Sequence, residues 1–319
     1  MIESYHQDWE GRNTNDDAHS VVKALNKLGH EVSTYYVDLD MFEKLKNDRE
    51  NIDLVFNLCD DGFFSKSKLE PHVAAMLDIL QLPYTGGKYL TLSITLRKDT
   101  VKKILTYHNL PTPKFKVLKS ARENIKNMKY PLIVKPLRED ASIGIKDESV
   151  VHNEKDLRKQ VQNVIKEYKQ PALVEEFISG REFNVGFIGK EMLPISEITF
   201  DGLPPEKPKI INYDAKWKED SVDYEETKRS CPAKVNIKLG ETLKNLATEA
   251  AKLFDCKDYY RIDFRVDKDN NPFILEINQN PDLSEDAGLT AMAQVKGYSY
   301  AQMIDMIVRN ALNDNKKQA

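Results

Sequence analysis

Cysteine is scarce in this chain: Cys59, Cys231 and Cys256 are the only three, widely spaced and odd in number. That excludes a disulfide framework and a clustered zinc site, and it fits a reducing, cytoplasmic setting. A surplus of positive charge is also missing, since 47 Lys and Arg stand against 51 Asp and Glu for a formal net charge of -4. No overall basic field therefore exists to draw in nucleic acid or an anionic membrane. No apolar run approaches the roughly 18 to 20 residues that cross a bilayer. The opening MIESYHQDWEGRN has neither the basic nor the apolar block of a secretory signal. Internal repeats are absent, and the charged end NDNKKQA is the one biased tract. What remains is an ordinary globular balance, 40% hydrophobic and 31% charged, in 319 residues. That length suits two or three packed units.

Hydrophobic periodicity sketches the elements. Val21, Val22, Leu25 and Leu28 recur at helical spacing and predict a helix over 17–29. Strands are predicted over 31–38 and 52–58, then a helix over 71–80, an alternation that points to a parallel doubly wound sheet. Such a unit normally opens with an apolar strand, yet only MIESYHQ precedes the first helix, so that strand is missing or very short. The turn-like LPYTGG closes this region. Beyond it come a helix over 92–107, a strand from 130 with a glycine-containing loop, and a helix over 153–168. Strands follow over 172–177 and 182–188, then a helix over 238–254, strands over 260–266 and 272–277, and a terminal helix over 300–312. The proline- and charge-rich stretch 203–234 reads as a loop long enough to act as a lid.

Three segments carry chemistry. In YYRIDFRVDKDNNPFILEINQNP, one strand of a hairpin bears Arg261, Asp263 and Arg265 and the other bears Glu276 and Asn278. Alternation puts each set on one face, and if the faces coincide two carboxylates and an amide oxygen meet. Hard oxygen donors of that kind suit Mg²⁺; an exposed, solvated hairpin would alternate in the same way. In PLIVKPLREDASIGI, an apolar strand delivers Lys135 into a loop holding Ser142 and Gly144, whose backbone N–H groups are able to cradle phosphate. A surface turn after an edge strand would look the same. In PALVEEFISGREFNV, Glu175, Phe177, Ile178 and Glu182 combine apolar walls with carboxylates, as nucleotide pockets do.

In this order, the three segments resemble the ATP-grasp superfamily, and within it the D-alanine–D-alanine ligases, from LPYTGG to LEINQNP. The resemblance implies an α/β and α+β chain: an ATP-grasp fold behind an abbreviated N-terminal Rossmann-like domain. It divides the chain into an N-terminal domain (1–90), a central subdomain (91–178) and a C-terminal subdomain with metal site and lid (179–319). ATP-clasping lysines would be Lys98 and Lys135, and the phosphate loop would run over 138–144 with Ser142 as a contact. Glu175, Phe177, Ile178 and Glu182 would hold adenine and ribose. Asp263, Glu276 and Asn278 would hold Mg²⁺, or Mn²⁺ in its place. Lys216 would be the lid lysine, and Arg261 the oxyanion-binding arginine. The implied activity is an ATP-dependent, ADP-forming ligation of a small-molecule carboxylate to an amine through an acyl-phosphate, by an enzyme that is often a homodimer. A phosphotransferase that stops at phosphoryl transfer, and a nucleotide-binding protein without catalysis, are the alternatives.

The departures gather at the amino-acid pocket. The family's proline-glycine turn is Pro281-Asp282, its serine-leucine pair falls at Ala287-Gly288, Ala141 replaces a second serine, and Trp217 replaces a tyrosine. The substrate-binding glutamate has no clear counterpart, with Asp16 or Asp17 nearest its place. The ATP chemistry is therefore expected to be kept and the substrate pocket altered. Asp282, Glu285 and Asp286 make that pocket's surroundings acidic, which suits an amine-bearing substrate or is simply a solvated turn. His72 and His108 read as surface or packing residues, Tyr84 and Tyr89 as packing, and Cys59 as an inert thiol near the cleft.

Overall fold

The computed structural model describes residues 2–3, 16–139 and 141–316. The opening strand is present but two residues long. β1 (Ile2–Glu3), β2 (Tyr35–Tyr36) and β3 (Asn57–Leu58) form a parallel sheet in the order β2-β1-β3. The strand predicted over 31–38 shrinks to Tyr35–Tyr36: of residues 31–34 only Val32 is partly buried, and the other three are exposed. Helix α1 (Asp16–Lys27) precedes β2, and α2 (Met41–Asp48), unforeseen from the sequence, buries Met41 and Leu45 one turn apart. Helix α3 (Glu70–Ile79) completes this layer and buries Val73, Ala74 and Leu77.

The helix predicted over 92–107 is two helices, α4 (Tyr89–Thr95) and α5 (Lys98–Tyr107). Arg97 leaves helical geometry between them at φ -100 and ψ 83, which re-aims the chain so that Lys98 opens the second helix. Val101 and Leu105 of α5 sink into the core of the largest sheet, although the sequence groups them with the central segment.

An antiparallel sheet of order β4-β7-β5-β6 follows, made of β4 (Phe115–Leu118), β5 (Leu132–Pro136), β6 (Val150–Val151) and β7 (Ala172–Glu176). Helix α6 (Glu154–Tyr168) covers it with Leu157, Val161 and Val164 and starts where the Asn153 side chain accepts from Asp156 N at 3.0 Å.

The largest sheet runs β11-β10-β8-β12-β13, with β9 (Glu191–Met192) paired to β8 (Gly180–Ile188). Its other strands are β10 (Ser196–Thr199), β11 (Lys228–Ser230), β12 (Tyr259–Asp267) and β13 (Pro272–Asn278). The stretch 203–234 is not a plain loop: it contains α7 (Asp214–Trp217), α8 (Val222–Glu226) and β11. Helix α9 (Ile237–Leu253), capped by Asn236, packs Leu239, Leu243, Ala247 and Ala250 against the sheet. Helices α10 (Gly288–Lys296) and α11 (Tyr300–Lys316) close the chain. Val21 and Leu25 of α1 share a core with Met292, Ile304 and Ile307, so the first and last helices are one packing unit. Among the described residues no helix is long and apolar enough to cross a membrane.

Candidate active site

The site is built on the β12–β13 hairpin. Its register sets Asp263 opposite Glu276 and Arg261 opposite Asn278, so the four side chains share one face. A bulge between Asp263 and Phe264 then shifts the pairing, which ends the run of facing polar residues at this point. Arg261 grips Asp263 with two parallel bonds, Nε to Oδ1 at 2.7 Å and Nη2 to Oδ2 at 2.9 Å. From the neighbouring β8, buried Asn184 donates to the same Oδ1 at 2.7 Å. Burial would weaken the Arg261 charge, but Asp263, Glu276 and Glu182 outweigh it and push its pKa up.

Lysines come in from the other elements. Lys98, at the start of α5, lies 3.3 Å from Glu276 Oε1. Chiefly through Lys98, against the opposing effect of burial and with help from Lys216, Lys135 and Arg261, the Glu276 carboxyl falls to about 2. Lys216 of α7 and Lys135 of β5 thus act on one carboxylate from different layers. On β7, Glu175 is 2% exposed and holds two ammonium groups, Lys102 at 3.1 Å and Lys135 at 3.0 Å. Phe177 and Ile178 form the link from β7 to β8. Arg265 spans it, its guanidinium 5.2 Å from the Phe177 ring, bonded to Ile178 O at 3.1 Å and to Glu182 Oε2 at 3.1 Å. Burial raises the Glu182 pKa, opposed by Arg265 and reinforced by Asp263.

The phosphate-loop candidate touches the lid. Ser142 Oγ donates to Ile211 O at 2.8 Å, Tyr213 N donates to Ile145 O at 2.9 Å, and Trp217 Nε1 donates to Ala141 O at 3.0 Å. Ala141 and Ser142 have φ of +47 and +62, and at Gly144, φ +78, a Cβ would lie 2.6 Å from Pro136 Cγ, so only glycine fits there. The lid's own order comes from buried Asn212, whose Nδ2 reaches Asp147 at 2.9 Å and Asp223 at 3.0 Å, and from Lys207 paired to both acids.

Of the candidates named from the sequence, Lys98, Lys135, Lys216, Arg261, Asp263 and Glu276 act on one another, Asn278 shares their hairpin face, Glu182 and the 177–178 link meet at Arg265, and Ser142 is tied to the lid, while Asp140 and the side chains of Asp16 and Asp17 lie outside the described residues. Sequence reasoning passed over Lys102, Asn184 and Asn212, and it placed Arg265 on the hairpin without giving it a role. Asn184 alone carried a signal: it follows Glu182 by two residues in a strand and so shares its face. Tyr84 is buried as a packing residue should be, whereas Tyr89 is 47% exposed. His72 and His108 are both exposed. No group of three His, Cys, Asp or Glu that could hold a metal occurs among the described residues. The donor set that fits a hard cation is two carboxylates and an amide on one hairpin face, with Glu276 kept ionised.

Two antiparallel sheets that bring lysines and carboxylates to one place, with a closing segment over a glycine loop, define the ATP-grasp class of ligases. A family model described as D-ala D-ala ligase C-terminus matches residues 103–309. The chain is 31% identical to the D-alanine–D-alanine ligase of Aquifex aeolicus over 296 residues, 91% of this chain and 92% of that one. It is equally 31% identical to an uncharacterized protein of Sinorhizobium fredii, covering 91% of this chain and 86% of that one. In fold it matches a crystal structure of D-alanine–D-alanine ligase from Bacillus anthracis complexed with ATP. The TM-score is 0.77 at 22% identity, covering 100% of this chain and 98% of that one. The chain belongs to the D-alanine–D-alanine ligase family and is an ATP-dependent, ADP-forming carbon–nitrogen ligase.

Proposed function

We propose that the protein joins a carboxylate to an amine through an acyl-phosphate, with a substrate pair altered from the one its relatives are named for. The observation that carries this is the β12–β13 face on which Asp263 stands opposite Glu276 with Lys98 3.3 Å from Glu276 Oε1, in a field to which Lys216 and Lys135 add positive charge. That array of charge suits triphosphate better than any neutral ligand. Lys98 and Lys135 hold phosphate oxygens as point charges, Lys216 does so from the lid, and Ser142 with its loop N–H groups completes the cradle. Phe177 and Ile178 wall the adenine and Glu182 binds ribose, while Glu175, expected from the sequence to touch the nucleotide, has both oxygens held by lysines and instead positions Lys135. Asp263, Glu276 and Asn278 would hold Mg²⁺, or Mn²⁺, which would supply neutralisation of the crowded phosphate charge. Arg261 then stabilises the oxyanion as the amine attacks, a role that a phosphotransferase would not need. Residues 203–234 close over the site and keep water from the acyl-phosphate.

On this reading residues 1–90 serve the substrate side, while 91–178 and 179–319 clasp ATP between them. The altered substrate pair rests on the acceptor end. A Cβ on Gly288, where the family places leucine, would stand 3.5 Å from Arg229 and 3.6 Å from Arg261, an open and polar position. The test is ADP release by the purified protein with ATP and Mg²⁺ against pooled D- and L-amino acids, dipeptides and hydroxy acids. A coupled product identified by mass spectrometry is expected. A stable phosphorylated carboxylate would favour the phosphotransferase instead.

A further inference from the structure

Between β10 and α7 the chain runs over 200–213 as a strap that is stiff and held at both ends. Pro204, Pro205 and Pro208 fix their own backbone angles, and Lys207 N closes a turn on Pro204 O at 3.0 Å. At one end Leu203 is buried with Ile198 and Phe200; at the other, Lys209 O accepts from Arg265 Nη2 at 2.6 Å. The backbone that carries Lys207 therefore has little freedom left to lose when its ammonium finds partners.

Those partners belong to different parts of the molecule. Asp147 opens the short 3-10 turn Asp147–Ser149, which follows the glycine loop and leads into β6, and its Oδ2 lies 3.1 Å from Lys207 Nζ. Asp223 belongs to α8 in the lid, is buried, and accepts a direct bond from the same Nζ. Asn212 joins both acids through its Nδ2, while its Oδ1 accepts from Ala215 N at 2.8 Å. That last bond fixes the start of α7, the single turn that bears Lys216. Among the described residues Lys207 is the one cation paired to either acid, so two carboxylates share one ammonium. The bond to Asp223 raises the Lys207 pKa, and Asp147 adds to it against burial, so the amine stays charged. Without that charge Asp147 and Asp223 would repel across the boundary between the central sheet and the lid.

We propose that Lys207 is the latch of the lid, a positioning residue that clamps α7 and α8 to the segment after the glycine loop, keeps Lys216 directed at Glu276, and so limits the access of water to the acyl-phosphate. The clamp is independent of any substrate; its effect on product partition rests on the ligase reading above.

The clamp is tested by hydrogen exchange, read by peptide mass spectrometry on the full chain. In Lys207→Met, exchange over 210–226 is expected to rise about tenfold or more, with β12 and α9 unchanged. Lys207→Arg keeps the charge and should restore protection. Lys207→Met combined with Asp147→Asn should recover part of it, because the facing like charges are gone while Asn212 still bridges. Exchange over 210–226 within about twofold of the parent, or an even rise over the whole chain with a lowered melting temperature, would overturn the latch. The chemistry is read separately, with a substrate pair on which the parent releases ADP. There Lys207→Met should raise free phosphate relative to amide product about tenfold, and an unchanged ratio would overturn the link to water exclusion. If the parent releases no ADP with any pool, the ligase reading fails and the exchange data alone decide the latch.

Discussion

Replacing Glu175 by glutamine should destabilise the protein far more than replacing its buried partner Lys102 by methionine. One carboxylate, 2% exposed, lies 3.1 Å from Lys102 and 3.0 Å from Lys135, so the cluster carries a net positive charge out of water. Burial pushes the Glu175 pKa up, but the two lysines overcome it and the carboxyl is held below its ordinary range. Lys102 fares the other way: burial lowers its pKa, and Lys135 and Lys98 add to that against Glu175. Glu175→Gln leaves two ammonium groups without a counter-charge, which costs about 3–5 kcal/mol. Lys102→Met leaves Glu175 and Lys135 as a one-to-one pair and removes an ammonium already paying for its desolvation. Its stability should stay within about 1 kcal/mol of the parent. Both differences are read by urea denaturation at neutral pH. The pH dependence follows from the same directions. Glu175, with a depressed folded pKa, contributes stability above its unfolded value of 4.5 that is lost as pH falls through the folded pKa. Lys102, also depressed, binds fewer protons folded than unfolded, so stability climbs as pH rises from its folded pKa towards 10.5. The glutamine variant should lose the acid limb and the methionine variant the alkaline climb. A larger loss from Lys102→Met than from Glu175→Gln would refute the charge argument.

Asp263→Asn should abolish turnover while part of ATP binding survives, measured by ADP release beside nucleotide titration, since it removes a proposed metal ligand and the Arg261 grip together. Unchanged turnover would sink the enzymatic assignment of the hairpin. Trp217→Phe deletes the indole bond to Ala141 O, about 1 kcal/mol or roughly fivefold in lid closure, and should raise phosphate release relative to amide product. A thiol reagent at pH 8 should label no cysteine in the native state: Cys59 is 1% exposed, burial pushes Cys256 up to about 12, and burial also raises Cys231. Rapid labelling of one thiol, counted by mass spectrometry, would contradict the packing around it.

What the sequence disclosed was local. The β12–β13 hairpin was legible because alternation with a period of two is written into adjacent residues, and its register then makes Asp263, Glu276, Arg261 and Asn278 one group. Helices α6 and α9 were legible because Leu157, Val161 and Val164, or Leu239, Leu243 and Ala247, repeat on one face. Lys102 was not. It sits one turn after Lys98 in a helix of ordinary appearance, and its burial is decided by Glu175 on a strand of another sheet. The same holds for Asn57 and for the joint where Asn280 accepts from Gly87 N at 2.8 Å and donates to Glu70 at 2.7 Å. The first sheet was hard to read for a further reason: its strands are two residues long, too short to show any period.

Two departures from the family pattern, taken singly, look like losses on the ATP side: alanine for serine at Ala141 and tryptophan for tyrosine at Trp217. In the fold they meet, since the Trp217 indole N–H donates to the Ala141 carbonyl while Ser142 bonds to Ile211. The lid therefore closes on the glycine loop through backbone acceptors, and the missing hydroxyl removes no contact that this geometry uses. The departures at the other end have no such repair. Asp282 puts a carboxylate held by Ser284 beside the cavity lined by Asn57 and Tyr259, and Gly288 leaves the ground before Arg229 and Arg261 open. A change that is compensated preserves a function, and a cluster of uncompensated changes alters one. The distribution supports the proposal of an enzyme whose ATP clasp is kept while its choice of substrate has moved.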